Sequence, residues 1–241
     1  MIPKIIHYCW LSDDPYPEKI RRCLDTWKKY LPDYEFMLWD LKRFPLEKSV
    51  WVKEAFESKK YAFAADYIRS YALYNYGGIY LDSDVEVLKP FDDLLELPYF
   101  FGRGNSAIGI EAATCGSEKG FPLFADLLAY YDGRHFIKED GSLDMLVMPE
   151  ILRKTMESKY RMKSIASIDE FIDEEGVINL FPADYFSPIS WETKHLDQTE
   201  NTYSIHHYVA SWHTRTDEFK LWLHRVLGHK LYHKIAMLIK R

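Results

Sequence analysis

Apolar residues over the first forty positions change between strand-like runs and helical spacing. The segment IPKIIHYCW (2–10) is β-branched and aromatic, which predicts a buried first strand. Residues 17–30 carry apolar side chains at helical spacing with basic residues between them, and YEFMLWD (34–40) predicts a second strand. The order strand, helix, strand predicts a parallel βαβ unit and therefore an α/β fold.

The helix predicted over residues 60–75 is different, because apolar or aromatic residues lie on nearly every side of it. A helix that is apolar all round is buried. It nevertheless carries Asp66 and Arg69, three residues apart and so on one face. These two side chains either pair with each other inside the core or face a ligand cleft together. Gly77 and Gly78 predict the end of the helix, and IYLD (79–82) predicts a short central strand.

Beyond residue 85 the pattern is weaker, and the predicted elements are shorter. A segment with alternating polarity, TYSIHHYVASWH (202–213), ends in a cluster of His, Ser and Trp residues. The other elements predicted in this part of the chain are strands at 99–101 and 176–181, helices at 120–131 and around MPEILRK (148–154), and a loop at FPADYFSPIS (181–190).

Residues 217–241 differ in composition from the rest of the chain. They contain six Lys and Arg residues against two Asp and Glu residues, which gives this segment a charge of +4 and leaves −10 for the remainder. We therefore predict a domain over residues 1–216 and a basic, amphipathic helical segment over residues 217–241. That segment either docks on the domain with a solvated basic face or lies on an anionic membrane. Its apolar stripe is formed by Leu223, Leu227, Leu231, Ile235 and Leu238.

Composition narrows the class of protein. A chain of 241 residues that is 47% hydrophobic can form one large domain, and a net charge of −6 argues against a general nucleic-acid binder. Three cysteines without motif spacing favour a reducing compartment. The apolar run at the N-terminus is too short for a signal peptide, and no stretch reaches the roughly 20 apolar residues of a membrane span. We expect a cytoplasmic protein, soluble or peripheral on the inner face of the membrane.

Asp82 and Asp84 follow the short central strand. In an extended segment residues two apart point the same way, so both carboxylates can address one ion. Hard carboxylate oxygens suit Mg²⁺ or Mn²⁺, and α/β folds bind ligands at the carboxyl ends of their strands. Phosphatases of the haloacid-dehalogenase type also place DxD after a hydrophobic strand. Their pattern wants Thr or Val four residues after the first Asp, where this chain has Glu86.

A second group of candidate residues lies near the end of the chain, at His206, His207, Ser211 and Trp212. An imidazole can complete a Mn²⁺ shell that carboxylates begin. Adjacent residues on a strand point to opposite faces, so we expect one histidine of the pair to be a ligand. Taken alone, the pair also fits two polar surface residues that flank a core tyrosine.

The run YAFAADYIRSYALYNYGGIYLDSDVEVLKPFDDLL (61–95) resembles the signature of the DxD-containing sugar-transferase family. IPKIIHYCW, PDYEFMLWD (32–40) and HHYVASW (206–212) resemble that family at the expected places. The family includes capsular-polysaccharide glycosyltransferases, fungal outer-chain α-mannosyltransferases and the α-galactosyltransferases of globo-series glycolipids, with the clostridial glucosylating toxins as distant relatives. The resemblance covers most of residues 1–215, and it is weak between about 102 and 200.

This resemblance implies a GT-A glycosyltransferase fold, with a Rossmann-like mixed sheet flanked by helices. It implies a retaining, metal-dependent enzyme that uses Mn²⁺ or Mg²⁺ and a UDP- or GDP-linked sugar. The hexose would pass to a glycan or a lipid-linked acceptor, in surface polysaccharide synthesis, with residues 217–241 as the membrane contact. The alternative is a catalytically inactive relative that binds a sugar nucleotide or a glycan.

Site residues follow from the same resemblance. Trp10 would lie at the nucleobase, and Asp66 and Arg69 would contact the donor sugar and the diphosphate. Asp82 would reach ribose or donor hydroxyl groups, and Asp84 would bind the metal. One of the remaining candidates His206 and His207 would join the metal, and Ser211 and Trp212 would border the diphosphate.

The chain departs from the family pattern at two places. Ala65 stands where relatives often have Ser before the helix Asp, and IEAATCG (110–116) stands where they often have an Asn-Ala pair. The residue on the catalytic face is therefore open, with Asn105, Glu111 and Asp144 as candidates.

Overall fold

The described residues of the chain form nine strands and six α-helices. A computed structural model describes residues 1–106, 109–191 and 193–209. The strands are β1 (Ile5–Cys9), β2 (Glu35–Trp39), β3 (Gly78–Leu81), β4 (Val85–Val87), β5 (Tyr99–Gly102), β6 (Thr114–Ser117), β7 (Arg161–Ser164), β8 (Val177–Phe181) and β9 (Ser204–His206). The helices are α1 (Glu18–Tyr30), α2 (Val50–Glu57), α3 (Tyr61–Tyr76), α4 (Pro122–Tyr131), α5 (Met148–Lys159) and α6 (Ala183–Phe186).

Seven of these strands form one mixed sheet in the order β2-β1-β3-β6-β5-β8-β7. The strand β1 pairs in parallel with both β2 and β3, which confirms the predicted parallel βαβ unit. The strand β6 runs antiparallel to both β3 and β5, whereas β8 is parallel to both β5 and β7. The predicted α/β class with a mixed sheet is therefore confirmed.

Two apolar cores cover the faces of the sheet. On β1, Ile6 belongs to the core that contains Trp27 of α1. Successive side chains of a strand alternate between the two faces of the sheet. On β3, Tyr80 points to the opposite core, which contains Ile68 and Leu73 of α3. The sheet is thus buried on both sides, as expected for parallel strands with helices as crossovers.

The helix α3 is buried on nearly all sides, as its sequence predicts. Gly77 and Gly78 both have positive φ, at 67° and 109°, which glycine adopts without strain. A Cβ at Gly78 would lie 2.6 Å from the carbonyl oxygen of Ile5, so the chain passes too close to β1 for a side chain there. The two glycines end α3 and start β3, and this prediction is confirmed.

Two strands and one short helix were not predicted from the pattern. The strand β6 reads TCGS and β7 reads RMKS, and neither carries an apolar alternation. A Cβ at Gly116 would lie 2.3 Å from the Phe100 ring, so β6 pairs with β5 only because this position lacks a side chain. The segment 181–190, predicted as a loop, contains the single turn α6.

A two-stranded ladder joins distant parts of the chain. The strands β4 and β9 pair antiparallel, with Val85 opposite His206 and Val87 opposite Ser204. This pairing matters for the site because β4 follows the two aspartates directly. Residues 217–241, the predicted helical segment, lie outside the described residues. Within the described part of the chain, no helix has both the length and the apolar character needed to cross a bilayer.

Candidate active site

The two aspartates stand in a turn at the carboxyl end of β3. The N–H of Asp82 donates to the carbonyl of Ala113 at 2.9 Å, next to the last pair of the β3–β6 ladder. The N–H of Val85 then donates to the carbonyl of Asp82 at 3.0 Å, so the chain turns between them. The prediction of an extended segment here is wrong, because this hydrogen bond closes a turn. The two carboxylates nevertheless lie close together, with one oxygen of each within 4.8 Å of the other.

Asp82, Asp84 and His206 form a three-residue cluster, which we call the DDH cluster. One possible ligand atom from each residue lies within 4.8 Å of the other two. Nε2 of His206 is 3.5 Å from Oδ1 of Asp84, and their side chains are 15% and 12% exposed. The β4–β9 ladder produces this arrangement, because it places His206 opposite Val85.

His207 points away from the DDH cluster. Its Nε2 is 2.8 Å from Oε2 of Glu86, within hydrogen-bonding distance. Of the two histidines that the sequence offered as ligands, His206 therefore lies with the aspartates and His207 does not. The alternation of side chains along a strand accounts for the difference.

Asp66 and Arg69 reach the edge of the DDH cluster from α3. Nη2 of Arg69 donates to Oδ1 of Asp82 at 2.9 Å and is 3.5 Å from Oδ1 of Asp66, while Nη1 donates to the carbonyl of Ala112 at 2.7 Å. The Arg69 side chain is 5% exposed. The two residues therefore pair inside the core, and Arg69 also holds Asp82. The alternative that both face a ligand cleft stays a prediction.

Glu111 lies on the other side of His206. Its residue is 4% exposed, and Oε1 accepts the N–H of Ala113 at 2.5 Å. The same oxygen is 3.6 Å from Nδ1 of His206. Among the described residues Nδ1 is buried without a hydrogen bond, so Glu111 is a close ionic neighbour of it rather than a hydrogen-bonded one.

The charges in this region shift the pKa values of its side chains. Burial raises the pKa of Asp66 to about 7, against the opposing effect of Arg69, and burial also raises the pKa of Asp82. Burial alone would lower the pKa of His206, but the charges of Asp84 and Glu111 raise it to about 9. Burial opposes ionisation of Glu111 as well, yet His206 keeps its pKa below the ordinary value.

The DDH cluster fits a divalent cation. It offers carboxylate oxygens and one imidazole nitrogen, a donor set that suits Mn²⁺ and, through its oxygens, Mg²⁺. Burial raises the pKa of Asp82, and such a carboxylate gains from a nearby positive charge. In the metal-free chain Arg69 and protonated His206 supply that charge in part.

Trp10 lies at the carboxyl end of β1, the same edge of the sheet as Asp82, because β1 and β3 are parallel. Its ring centroid is 4.8 Å from that of Tyr16, and its Nε1 donates to the carbonyl of Asp14 at 2.9 Å. This position is compatible with a nucleobase contact, which stays a prediction. Ser211 and Trp212 lie outside the described residues.

The three candidates for the catalytic face are spread apart. Glu111 is beside His206, whereas Nδ2 of Asn105 donates to the carbonyl of Pro188 at 3.3 Å. Oδ1 of Asp144 accepts the N–H of Leu146 at 3.4 Å. The last two side chains hold loops by these contacts, and no contact of theirs reaches the DDH cluster in the described part of the chain.

Sequence reasoning missed Tyr208. Its ring centroid is 4.0 Å from that of His206, and its hydroxyl is hydrogen-bonded to Oγ of Ser187 at 2.9 Å. Its place two residues after His206 was the one available signal, since such residues share a strand face. The chain turns at this point, however, because Tyr208 has a φ of 51°.

Comparison with known proteins relates part of this chain, including most of the site, to a family. Residues 17–101, which include Asp66, Arg69, Asp82 and Asp84, match the family described as "Glycosyltransferase sugar-binding region containing DXD motif". The predicted resemblance to the DxD-containing sugar-transferase family is confirmed over these residues. The chain is 35% identical over 147 residues to mannosyl phosphorylinositol ceramide synthase SUR1 of Saccharomyces cerevisiae, covering 57% of this chain and 37% of that protein. It is 36% identical over 135 residues to inositol phosphoceramide mannosyltransferase 3 of Schizosaccharomyces pombe, covering 53% and 36%.

The match spans little more than a third of the length of these curated relatives. A solved structure, "PaToxG Glycosyltransferase", superposes on this chain with a TM-score of 0.50 and 22% identity, over 65% of this chain and 68% of that one. At this identity the likeness concerns the fold. The predicted GT-A glycosyltransferase fold is confirmed.

Proposed function

We propose that this protein is a metal-dependent glycosyltransferase that moves a hexose from a UDP- or GDP-linked sugar to a glycan or a lipid-linked acceptor. The DDH cluster carries this proposal: Asp82, Asp84 and His206 meet at the carboxyl edge of the sheet, with Arg69 bonded to Asp82. Ligands of α/β folds bind at this edge. The match of residues 17–101 to the sugar-transferase family supports the reaction class.

Each side chain then has a role that its position supports. The DDH cluster would hold Mn²⁺ or Mg²⁺, which when bound neutralises charge on the diphosphate leaving group. Arg69 holds Asp82 in place, and Asp66, which stands beside Arg69, would contact the donor sugar. Trp10 offers a ring for the nucleobase at the same edge.

We further propose that transfer retains the anomeric configuration and needs no covalent sugar–enzyme intermediate. The acceptor oxygen bonds to the anomeric carbon on the face that the diphosphate leaves. The bond between that carbon and the phosphate oxygen breaks, its electron pair stays with the phosphate, and the acceptor proton passes to the same group. Glu111 is 4% exposed and engaged with Ala113, which argues against its use as a nucleophile.

The printed names of the relatives guide the choice of substrates. Both relatives are named for the transfer of mannose to inositol-containing ceramide lipids. Mannose donors and lipid-linked acceptors are therefore the first to test here. A role in surface polysaccharide synthesis, a cytoplasmic location and a membrane contact through residues 217–241 stay predictions.

The test is nucleotide release from a donor panel. The full chain is incubated with UDP- and GDP-linked hexoses and Mn²⁺, and free UDP or GDP is measured with and without EDTA. We expect release from one donor that EDTA abolishes, and a loss of at least about 100-fold in Asp84→Ala, because a metal ligand matters at least as much as the residues that orient one. Asp25→Ala, which removes an exposed carboxylate on α1, is the matched control.

Two results would count against this function. Full activity in a folded Asp84→Ala variant, with an unchanged circular dichroism spectrum, would remove the metal site from the mechanism. Binding of donors by the wild-type protein without release from any of them would favour the inactive, sugar-nucleotide-binding relative.

A further inference from the structure

We propose that Glu111 is a positioning residue that orients His206, so that Nε2 of the ring faces the two aspartates. This inference rests on the proposed metal site and adds a residue outside the DDH cluster to it. The family match ends at residue 101, so nothing in that match includes either Glu111 or His206. The two residues are 95 positions apart and meet only in the folded chain.

The two ring nitrogens of His206 have different neighbours. Nε2 is 3.5 Å from Oδ1 of Asp84, inside the DDH cluster. Nδ1 is 3.6 Å from Oε1 of Glu111, on the opposite side of the ring. An imidazole that binds a metal through one nitrogen carries a proton on the other, and that N–H needs an acceptor when it is buried. Glu111 supplies the acceptor, and a shortening of the contact by a few tenths of an ångström makes it a hydrogen bond.

Glu111 is itself held by hydrogen bonds to the backbone. Its Oε1 accepts the N–H of Ala113 at 2.5 Å, and its N–H donates to the carbonyl of Gly102 at 3.0 Å. The carboxylate is therefore a fixed reference point rather than a mobile surface group. The ring of Tyr208 lies beside that of His206, with the centroids 4.0 Å apart, and limits the movement of the His206 ring on that side.

Glu111 is placed to act on the histidine and not on the ion. The group of carboxylates and imidazoles that can share one ion consists of Asp82, Asp84 and His206, and Glu111 is not among them within the described residues. Carboxylates behind metal-binding histidines fix the ring orientation, and their loss lowers metal affinity by about 10–100-fold.

The neighbouring histidine provides an internal control. His207 also pairs with a glutamate, since its Nε2 is 2.8 Å from Oε2 of Glu86. This second His–Glu pair lies on the other face of the chain and does not include the aspartates. Two adjacent histidines with one glutamate each therefore separate the effect of a lost carboxylate from the effect of a lost positioning contact.

The experiment measures Mn²⁺ binding by the full-length chain without donor or acceptor. Free Mn²⁺ is followed by its electron paramagnetic resonance signal in the wild type, Glu111→Ala, Glu111→Gln and Glu86→Ala. We expect affinity about 10–100-fold lower in Glu111→Ala and unchanged in Glu86→Ala. Glu111→Gln keeps an acceptor oxygen, so its affinity should lie between those of Glu111→Ala and the wild type. Pulsed resonance on bound Mn²⁺ should show nitrogen coupling from one imidazole that weakens in Glu111→Ala.

A double-mutant cycle separates positioning from a general structural effect. If Glu111 acts through His206, then Glu111→Ala causes no further loss of Mn²⁺ affinity in a His206→Ala background. An equal loss in both backgrounds, or wild-type affinity in Glu111→Ala, would overturn the proposal. If Glu111→Ala fails to fold, the same cycle with Glu111→Gln decides. A wild-type chain that binds no Mn²⁺ would refute the metal site itself, a result distinct from a failed cycle.

Discussion

Two buried histidines of this chain have opposite surroundings. His7, on β1, is fully buried, with Nε2 2.7 Å from the carbonyl of Gly77 and Nδ1 accepting from Nε1 of Trp39 at 3.1 Å. Burial lowers the pKa of His7 to about 4, so the ring is neutral at pH 7. His206 lies between Asp84 and Glu111, which raise its pKa to about 9 although burial opposes the change.

The difference shows what distinguishes a structural histidine from a histidine at a candidate ligand site. The two nitrogens of His7 find one donor and one acceptor within the protein, so the group is complete without a ligand. Around His206 the carboxylates outnumber the positive charges, and one ring nitrogen has no hydrogen bond among the described residues. Burial is common to both, and the surplus of negative charge distinguishes the second.

Removal of each histidine in turn tests this difference most directly. His206→Ala should lower Mn²⁺ affinity by at least about 100-fold, because one of three proposed ligands is lost. His7→Ala should leave Mn²⁺ affinity unchanged and lower the free energy of unfolding by about 3 kcal/mol, because a buried N–H and a buried carbonyl lose their partner. Titration with Mn²⁺ and urea denaturation measure the two effects.

The opposite pattern would undo the distinction between the two histidines. Weaker Mn²⁺ binding in a folded His7→Ala protein would mean that the contacts of His7 support the site. Unchanged binding in His206→Ala would remove the imidazole from the metal shell and leave the aspartates alone.

A second effect follows from the lowered pKa of His7. Above pH 6.5 the ring is neutral in both the folded and the unfolded chain, and the full contribution of the neutral His7 ring to the free energy of unfolding is present. As the pH falls from 6.5 to about 4 the unfolded state takes up the proton first, so this part of the stability is lost progressively. The loss approaches about 3 kcal/mol, from roughly 1.4 kcal/mol per pH unit.

Urea denaturation at several pH values between 7 and 4 measures this change, with His7→Gln as the variant that cannot titrate. The difference in the free energy of unfolding between the two proteins should shrink as the pH falls. A constant difference would show that His7 is not the residue whose protonation lowers stability in this range.

The smallest expected effect concerns Arg43. The charge of Arg43 helps to lower the pKa of His7, but burial is the larger cause. Because Arg43 is exposed, solvent screens it, and Arg43→Gln should raise the pKa of His7 by a fraction of a pH unit. A titration of the His7 ring by NMR checks this. A shift back to the ordinary histidine value would mean that charge, and not burial, controls this ring.

Local pattern was enough to predict the first half of the fold. The helix α3, its glycine stop and β3 are encoded by hydrophobic spacing and by turn residues, which act over a few positions. The strand β6 was missed because its Thr-Cys-Gly-Ser sequence has no alternation, and Gly116 matters only through the Phe100 ring across the sheet. Such a requirement is set by tertiary packing, which a single sequence does not display.

For the candidate site as well, local pattern predicts some residues, and others depend on long-range contacts. Asp82 and Asp84 were identified from their place after an apolar strand, and the rule of alternating side chains predicted that one histidine of the pair would join them. Which histidine it is depends on the register of β9 against β4, and that register is a long-range property. The contact between Glu111 and His206 was out of reach for the same reason.

The β4–β9 ladder also bears on the order in which the molecule is made. Synthesis proceeds from the N-terminus, and domains can begin to fold before the chain is finished. The aspartates therefore leave the ribosome more than a hundred residues ahead of Ser204 and His206. A nascent or interrupted chain that stops before β9 contains the DxD pair and α3 without the imidazole. Long-range pairing of this kind forms late, so a complete DDH cluster requires that translation has passed residue 206.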